Sequence, residues 1–213
     1  MLENAKQKKQ LGRPKAGTSR DLRQDLLATS LDLLNEGGPG ALSMREVARR
    51  AGCTHQAPYH YFADRESILA ALVCDGFENL AHPLRLANDL VATKGARATL
   101  VASAKAYVGF ALAQPGVFRI MFRPDMCDPL RFPQVIESSG RARAQLDRLN
   151  KIVYGTKAKA SSATILWSHV HGLSCLLVDG PLMGQFQNAR QRQAHLRAVA
   201  EQFADLAQSI LPA

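Results

Sequence analysis

Two helix starts separated by one glycine, within residues 43–65, constrain the fold of this chain more than any other stretch. Ser43 followed by Glu46 is a capping box, in which each side chain can bond an orphan N–H of the first helical turn. Gly52 lies where a left-handed residue must end that helix, and Thr54 can cap a second helix two residues later. The pattern predicts a helix, a tight turn and another helix, which together form a helix-turn-helix.

The second of these helices carries polar and ring-bearing side chains. It opens with His55 and Gln56 and continues with Tyr59, His60 and Tyr61. Such groups can hydrogen-bond to base edges and phosphates, so the pattern favours a surface that reads nucleic acid.

Pro58 departs from ordinary helix chemistry in the middle of this stretch. Because proline has no N–H, we expect one backbone hydrogen bond to be lost and the first turn to tighten. Phe62 is expected to pack into the domain core.

The 213 residues carry a formal net charge of +9, which favours a polyanionic partner. Residues 1–70 hold 11 Lys and Arg against 8 Asp and Glu, a net of +3, which leaves 16 against 10 for the remainder. The excess is therefore not concentrated on the helix-turn-helix. A generally basic surface is the plain alternative for the C-terminal part.

The N-terminal segment, residues 1–19, is a basic arm with few apolar residues. Such a composition buries too little apolar surface to offset its ordering entropy, so we expect disorder in isolation. Arg13 lies in a Gly-Arg-Pro-Lys sequence of the kind that enters a narrow minor groove. A solvated tail is the alternative.

The remaining chain shows helical periodicity and no convincing strand alternation, so we predict an all-α protein. Thr18 or Ser19 is expected to cap the first helix, with Asp21 in its first turn. Pro83 is expected to interrupt or kink the helix that Asp64 caps. Further helices are predicted at about 96–113, 134–154, 161–178 and 190–210. The predicted division is an arm (1–19), a helix-turn-helix domain (20–66), a connecting helix (67–94) and a helical C-terminal domain (95–213).

Several classes of protein are disfavoured. No apolar run approaches the ~20 residues that span a bilayer, and no secretory signal is present, so we expect a cytoplasmic protein without a membrane partner. The four cysteines include no C-x-x-C pair and are expected to be free thiols. His169 and His171 point roughly 200° apart on a helix and cannot chelate one metal together, so no metal or cofactor is expected. An enzyme using either histidine with Asp179 lacks a nucleophile in a recognisable setting.

Residues 20–75 resemble the DNA-binding domain of the tetracycline-repressor (TetR) type of bacterial regulators. The likeness rests on the Gly-Gly-Pro-Gly break before Ala41, on Val47–Gly52, and on Tyr59–Phe62 followed by Asp64-Arg65-Glu66. Trp167–Leu173 also resembles the Trp-His-Gly (WHG) stretch of one C-terminal subgroup of that family.

The resemblance implies a three-helix DNA-binding domain joined to a larger helical domain that binds a small-molecule effector and dimerises through its last two long helices. It implies a homodimer that binds a near-palindromic double-stranded operator as a repressor. Activation, dual control or a helical small-molecule-binding protein are the alternatives. The residues expected to contact DNA are Arg13, Ser43, Arg45, Thr54, His55, Gln56, Ala57, Tyr59, His60, Tyr61 and Arg65.

The effector site is expected among aromatic and polar residues of the C-terminal domain, although such residues at helical spacing also suit a plain core. Arg119 and Arg123 are expected either to hold an anionic ligand or to face water. The candidate effector contacts are Tyr107, Phe110, Phe118, Met121, Phe122, Trp167 and His171.

Overall fold

A computed structural model describes residues 21–209 of the chain. Its regular structure over this range is entirely helical, which confirms the all-α prediction. The α-helices are α1 (Leu22–Gly37), α2 (Met44–Arg50), α3 (Arg65–Asp89), α4 (Val91–Ala113), α5 (Pro115–Phe118), α6 (Pro133–Tyr154), α7 (Ala160–Val178) and α8 (Ala189–Ser209). Short 3-10 turns occur at Pro39–Ala41, Ala57–His60 and Gly155–Lys157. The predicted arm, with Arg13, Thr18 and Ser19, lies outside the described residues.

The first helix begins one turn later than the sequence suggested. Asp21 is itself the N-cap of α1, because its carboxylate accepts a hydrogen bond from the Gln24 backbone N–H at 3.3 Å. This corrects the expectation that Asp21 lies within the first turn. Aspartate is among the strongest N-cap residues, so it can start the helix unaided.

Helices α1 and α2 and the start of α3 share one core. Leu26, Leu34, Val47 and Ile68 are fully buried there, and Phe62 is 4% exposed, as expected. The small N-terminal domain is therefore held by leucine and valine side chains that follow the helical period.

Helix α3 connects this domain to the rest of the molecule. Asp64 caps it by accepting from the Ser67 N–H at 2.8 Å, and the Ser67 hydroxyl accepts from the Asp64 N–H in return. The helix continues through Pro83 and ends at Asp89, so the expected interruption is wrong. Leu80 and Leu84 are buried on either side of the proline, so the helix is packed against its neighbours where the hydrogen bond is lost.

The C-terminal helices pack around α4. Helix α3 packs against α4 and α6, and α4 also packs against α7 and α8. Gly95 has a φ of 76°, which breaks the helical backbone of α4 and agrees with a predicted helix from Ala96. None of the described helices is long and apolar enough to cross a membrane.

Candidate functional site

Half of the predicted capping box is present at α2. The Ser43 hydroxyl accepts from the Glu46 N–H at 3.2 Å. The Glu46 carboxylate does not return the bond but accepts from Arg49 at 2.6 and 2.8 Å and from Arg50 at 3.0 Å. Hydrogen bonds from Arg49 and, to a smaller extent, from Arg50 lower the pKa of Glu46 to about 2. Arg50 also pairs with Glu36 at 2.6 Å, so both arginines are tied to their own domain.

The segment after α2 is a 3-10 turn and not a regular α-helix. Gly52 has the predicted left-handed φ, at 67°. The Thr54 carbonyl accepts from the Ala57 N–H at 3.0 Å, whereas in an α-helix it would accept from residue 58. Residue 58 is proline and has no N–H to donate. The prediction of a helix capped by Thr54 is therefore wrong, and the turn proper begins at Ala57.

The turn nevertheless presents the predicted side chains to solvent. Tyr59 and Tyr61 are 50% and 47% exposed, while Pro58 is buried beneath them. Ala57 is half-buried, and the guanidinium of Arg23 lies 5.5 Å from the ring centre of buried Phe62. We call the exposed residues the reading surface: Arg45, Thr54, His55, Gln56, Tyr59, His60 and Tyr61.

Arg65 has an internal role that the sequence did not suggest. Its guanidinium donates to the carbonyls of Leu42 at 2.8 Å and Pro39 at 2.6 Å. These bonds fasten the loop before α2 to the start of α3. A phosphate contact by Arg65 stays a prediction, and two of its five N–H groups are already used within the domain.

A cavity of about 420 Å³ lies between α3, α4, α6 and α7. Its wall is mostly aliphatic and aromatic, and Arg143, beside Asp147 at 3.3 Å, is the charged residue that lines it. The volume is within the range of small-molecule sites. The lining residues are Phe77, Leu80, Leu84, Asn88, Leu100, Ser103, Ala104, Tyr107, Phe122, Ile136, Ser139, Gly140, Ala142, Arg143, Gln145, Leu146, Leu149, Leu166, Trp167 and Val170.

One end of the cavity carries a polar cluster. Buried Asn88 donates to the Gln145 carbonyl at 2.9 Å, and its side-chain oxygen accepts from the Ser103 hydroxyl at 3.0 Å. These residues come from α3, α6 and α4. Sequence reasoning missed them, because no local pattern brings residues 57 positions apart into contact.

A second polar group joins Trp167, Tyr107 and His171. The Tyr107 hydroxyl accepts from Trp167 Nε1 at 3.1 Å and lies 3.0 Å from His171 Nδ1. Since its oxygen already accepts one bond, its proton can go to Nδ1, which requires neutral His171 protonated on Nε2. Burial lowers the pKa of His171 and raises the pKa of Tyr107, which favours neutral forms of both.

Three of the seven predicted effector contacts line the cavity: Tyr107, Phe122 and Trp167. The other four, Phe110, Phe118, Met121 and His171, are not among the lining residues. Phe118 and His171 lie behind the wall, with ring centres 5.2 Å apart. Helical spacing identified apolar residues but not which of them face the cavity.

The other histidines, arginines and cysteines considered in the sequence analysis lie in different surroundings. His169 stacks on Phe203 with ring centres 3.6 Å apart, whereas His171 contacts Tyr107, so the two histidines face different partners. Arg119 pairs with Asp179 at 2.8 Å and Arg123 with Asp125 at 2.6 Å, and neither lines the cavity. The four cysteines are free, and residues 21–209 contain no group of three or more candidate metal ligands.

The cavity is joined to the N-terminal domain by the segment from α5 to α6. Phe122 contacts both Phe77 and Trp167, with ring centres 5.6 and 5.7 Å away. Nine residues further on, Arg131 forms ion pairs with Asp64, the N-cap of α3, and with Glu66. The wall of the cavity and the residues that follow the reading surface therefore belong to one connected structure.

Comparisons with known proteins agree with this two-part architecture. A sequence profile described as "Bacterial regulatory proteins, tetR family" matches residues 26–72, and one described as "Tetracyclin repressor-like, C-terminal domain" matches residues 100–203. The chain is 28% identical over 112 residues to the HTH-type transcriptional regulator Mb1846 of Mycobacterium bovis, covering 51% of this chain and 48% of that protein. It thus spans about half the length of the curated relatives it matches.

Solved structures extend the likeness to nearly the whole chain. A protein of unknown function from Rhodococcus sp. RHA1 has a TM-score of 0.72 and 28% identity, covering 91% of this chain and 97% of that one. A regulatory protein of the tetR family from Rhodococcus RHA1 has a TM-score of 0.68 and 16% identity, covering 90% and 97%, and shows the fold alone.

Proposed function

The chain belongs to the TetR family of bacterial transcriptional regulators, and on that premise we propose that it is a homodimeric repressor released from its operator by a small molecule. The observation that carries the proposal is the reading surface, a solvent-exposed turn that directly follows α2. The protein acts in the cytoplasm, where its operator is found. The alternative of a helical small-molecule-binding protein leaves this exposed turn without a role.

The chemistry of the reading surface supports base recognition. Gln56 can pair bidentately with adenine, and His55 can donate to a guanine acceptor. Ala57, half-buried, offers only a methyl group for thymine. Tyr59 and Arg45 supply phosphate contacts, which set the register of the protein on the duplex and not its sequence preference.

An exposed apolar stripe on α7 supports the dimer. Ile165 and Leu176 are 54% and 43% exposed, although they are large apolar side chains. Ser168 and Gly172 lie between them on the same exposed face, and small residues allow close approach of a second helix. A two-fold dimer places two reading surfaces about one duplex turn apart, which favours a near-palindromic operator.

The cavity supports an effector that is uncharged and largely apolar. Its one charged lining residue, Arg143, lies at the exposed side of α6 beside Asp147. The polar cluster at Asn88 and the Tyr107 hydroxyl supply a few directed hydrogen bonds. Trp167–Leu173 resembles the Trp-His-Gly stretch of the WHG subgroup. Because Trp167 lines the cavity, this likeness also supports a ligand at this place.

Release from DNA requires that the effector bind one arrangement of the domains more tightly than the other. The segment that runs from Phe122 to Arg131 provides a physical link for this difference. Filling the cavity displaces Phe122, and the ion pairs of Arg131 transmit the change to the start of α3.

A gel-shift assay with the DNA upstream of the protein's own gene tests the proposal. We expect sequence-specific binding that Gln56→Ala together with Tyr59→Ala abolishes, while circular dichroism and thermal unfolding stay unchanged. Gln185→Ala, an exposed glutamine between α7 and α8, is the control and should bind as wild type. Specific binding that survives the double substitution would refute the reading surface.

A reporter gene placed behind the same DNA distinguishes repression from activation. Repression predicts higher expression when the regulator is deleted, whereas activation predicts lower expression. Failure to bind any duplex specifically at physiological salt would instead favour the small-molecule-binding alternative.

A further inference from the structure

A second concave surface lies between α4, α7 and α8, on a different part of the C-terminal domain from the cavity. Its volume is about 490 Å³, and we call it the basic groove. Val108, Leu112 and Leu173 supply an apolar floor, and its cations are Lys105, Arg190 and Arg197. Of the lining residues, only Ala104 and Val170 are shared with the cavity.

The charge of the groove is one-sided. No carboxylate lines it, and Lys105, Arg190 and Arg197 form no ion pair within residues 21–209. The nearby acidic residues of α8, Glu201 and Asp205, are already paired with Arg97. This contrasts with Arg119 and Arg141 of the C-terminal domain, which have carboxylate partners. Three cations left together at one concave surface favour an anion there.

His169 adds a polar group to the floor. Its ring lines the groove and stacks on Phe203, and its Nε2 atom is buried without a hydrogen-bond partner among the described residues. A buried nitrogen without a partner is costly, so the floor of the groove holds an unsatisfied polar atom.

Two of the three cations come from one face of α8, and both of their side chains are exposed. Residues of an α-helix are turned by about 100° each, so Arg190 and Arg197, seven positions apart, share one face of α8.

We propose that the basic groove binds an amphipathic organic anion, a molecule with a carboxylate or phosphate group on a hydrocarbon body. The anionic group pairs with Arg190, Arg197 and Lys105, and the hydrocarbon lies on Val108, Leu112 and Leu173. The site is separate from the cavity and differs from it in ligand class, because the cavity suits an uncharged molecule.

The matched probes octanoate and 1-octanol test this assignment, because they share a hydrocarbon chain and differ in charge. Calorimetry on the full-length protein should show octanoate binding that weakens with added salt. Replacing both arginines (Arg190→Gln with Arg197→Gln) should weaken it by about tenfold. The control double variant (Arg85→Gln with Arg192→Gln) removes the same charge outside the groove and should bind octanoate as wild type does.

Histidine ring resonances locate the probe, since His169 lines the groove and His171 contacts the cavity wall. Octanoate should shift the His169 signal at lower concentration than the His171 signal, with assignments from His169→Gln and His171→Gln. The proposal is overturned if octanoate does not bind, if it shifts only His171, or if the two double variants bind equally. None of these outcomes bears on operator binding, so the proposed regulator function is tested separately.

Discussion

At the residue scale, ion pairs of the N-terminal domain are organised around Glu46. This carboxylate accepts from Arg49 and Arg50, which lie one turn further along α2. The same pairing explains why Glu46 does not complete the capping box. Arg45, by contrast, remains exposed and available to a phosphate.

The low pKa of Glu46 also makes the stability of the folded protein depend on pH. Its pKa lies at about 2 in the folded protein against an ordinary value of 4.5, so its contribution is present above pH 4.5 and is lost as the pH falls towards 2. In Glu46→Gln the free energy of unfolding should therefore fall less steeply over this window. Urea unfolding at several pH values measures the slope. The control is Asp32→Asn, since Asp32 is an exposed residue of α1 without an ion pair in the described chain. This variant should show the same slope as the wild-type protein.

At the element scale, α5 lies against α1 with almost no space between the two backbones. The Gly116 N–H donates to the Asn35 side-chain oxygen at 2.9 Å. A Cβ at Gly116 would meet Asn35 Oδ1 at 2.7 Å and the backbone of Leu34 and Asn35 at 2.8 Å. Position 116 requires a glycine because the backbones of α5 and α1 approach each other so closely. This contact joins the DNA-binding domain to the C-terminal domain.

Gly116→Ala should therefore destabilise the protein by about 1–3 kcal/mol, because backbone atoms cannot yield as a flexible side chain can. Gly109→Ala is the matched control, since a Cβ on this exposed face of α4 meets no atom within 4 Å. The control should be neutral or stabilising by up to about 1 kcal/mol. Chemical unfolding measures the free energy of unfolding of both variants. Equal values would contradict the close approach of the two backbones.

At the scale of the whole molecule, two ion pairs of Arg131 span the two domains, whereas Arg123 of the same segment pairs locally with Asp125. Arg131→Gln should weaken specific operator binding several-fold, because a less constrained reading surface loses more conformational entropy on binding. Arg123→Gln should bind the operator as wild type does. Titrated gel shifts compare them, and non-specific DNA should bind both variants alike.

Assembly is the second property that belongs to the whole molecule. Ile165→Glu should convert the proposed dimer to a monomer at micromolar concentration, because a carboxylate would be buried where the α7 stripe meets its partner. Leu130→Glu is the control, since Leu130 is 86% exposed but lies in the segment before α6. Sedimentation gives the masses. A variant that remains dimeric would place the interface elsewhere.

Features with short sequence range were predictable from the sequence alone. The cap at Asp64, the left-handed glycine at Gly52 and the helical period of α6 and α7 each depend on residues within one or two turns of one another. Even the error at Thr54 has a local cause, because Pro58 lacks the N–H that an α-helix needs there. The all-α class and the family resemblance rest on such local signals.

The tertiary structure alone decided which side chains meet. Asn88 reaches Gln145 across 57 positions, and Tyr107 reaches His171 across 64. Periodicity states which face of a helix is apolar, but it does not state which neighbour covers that face or where packing leaves a space. Both the apolar cavity and the basic groove arise from such spaces between helices, and so neither could be located before the helices were packed.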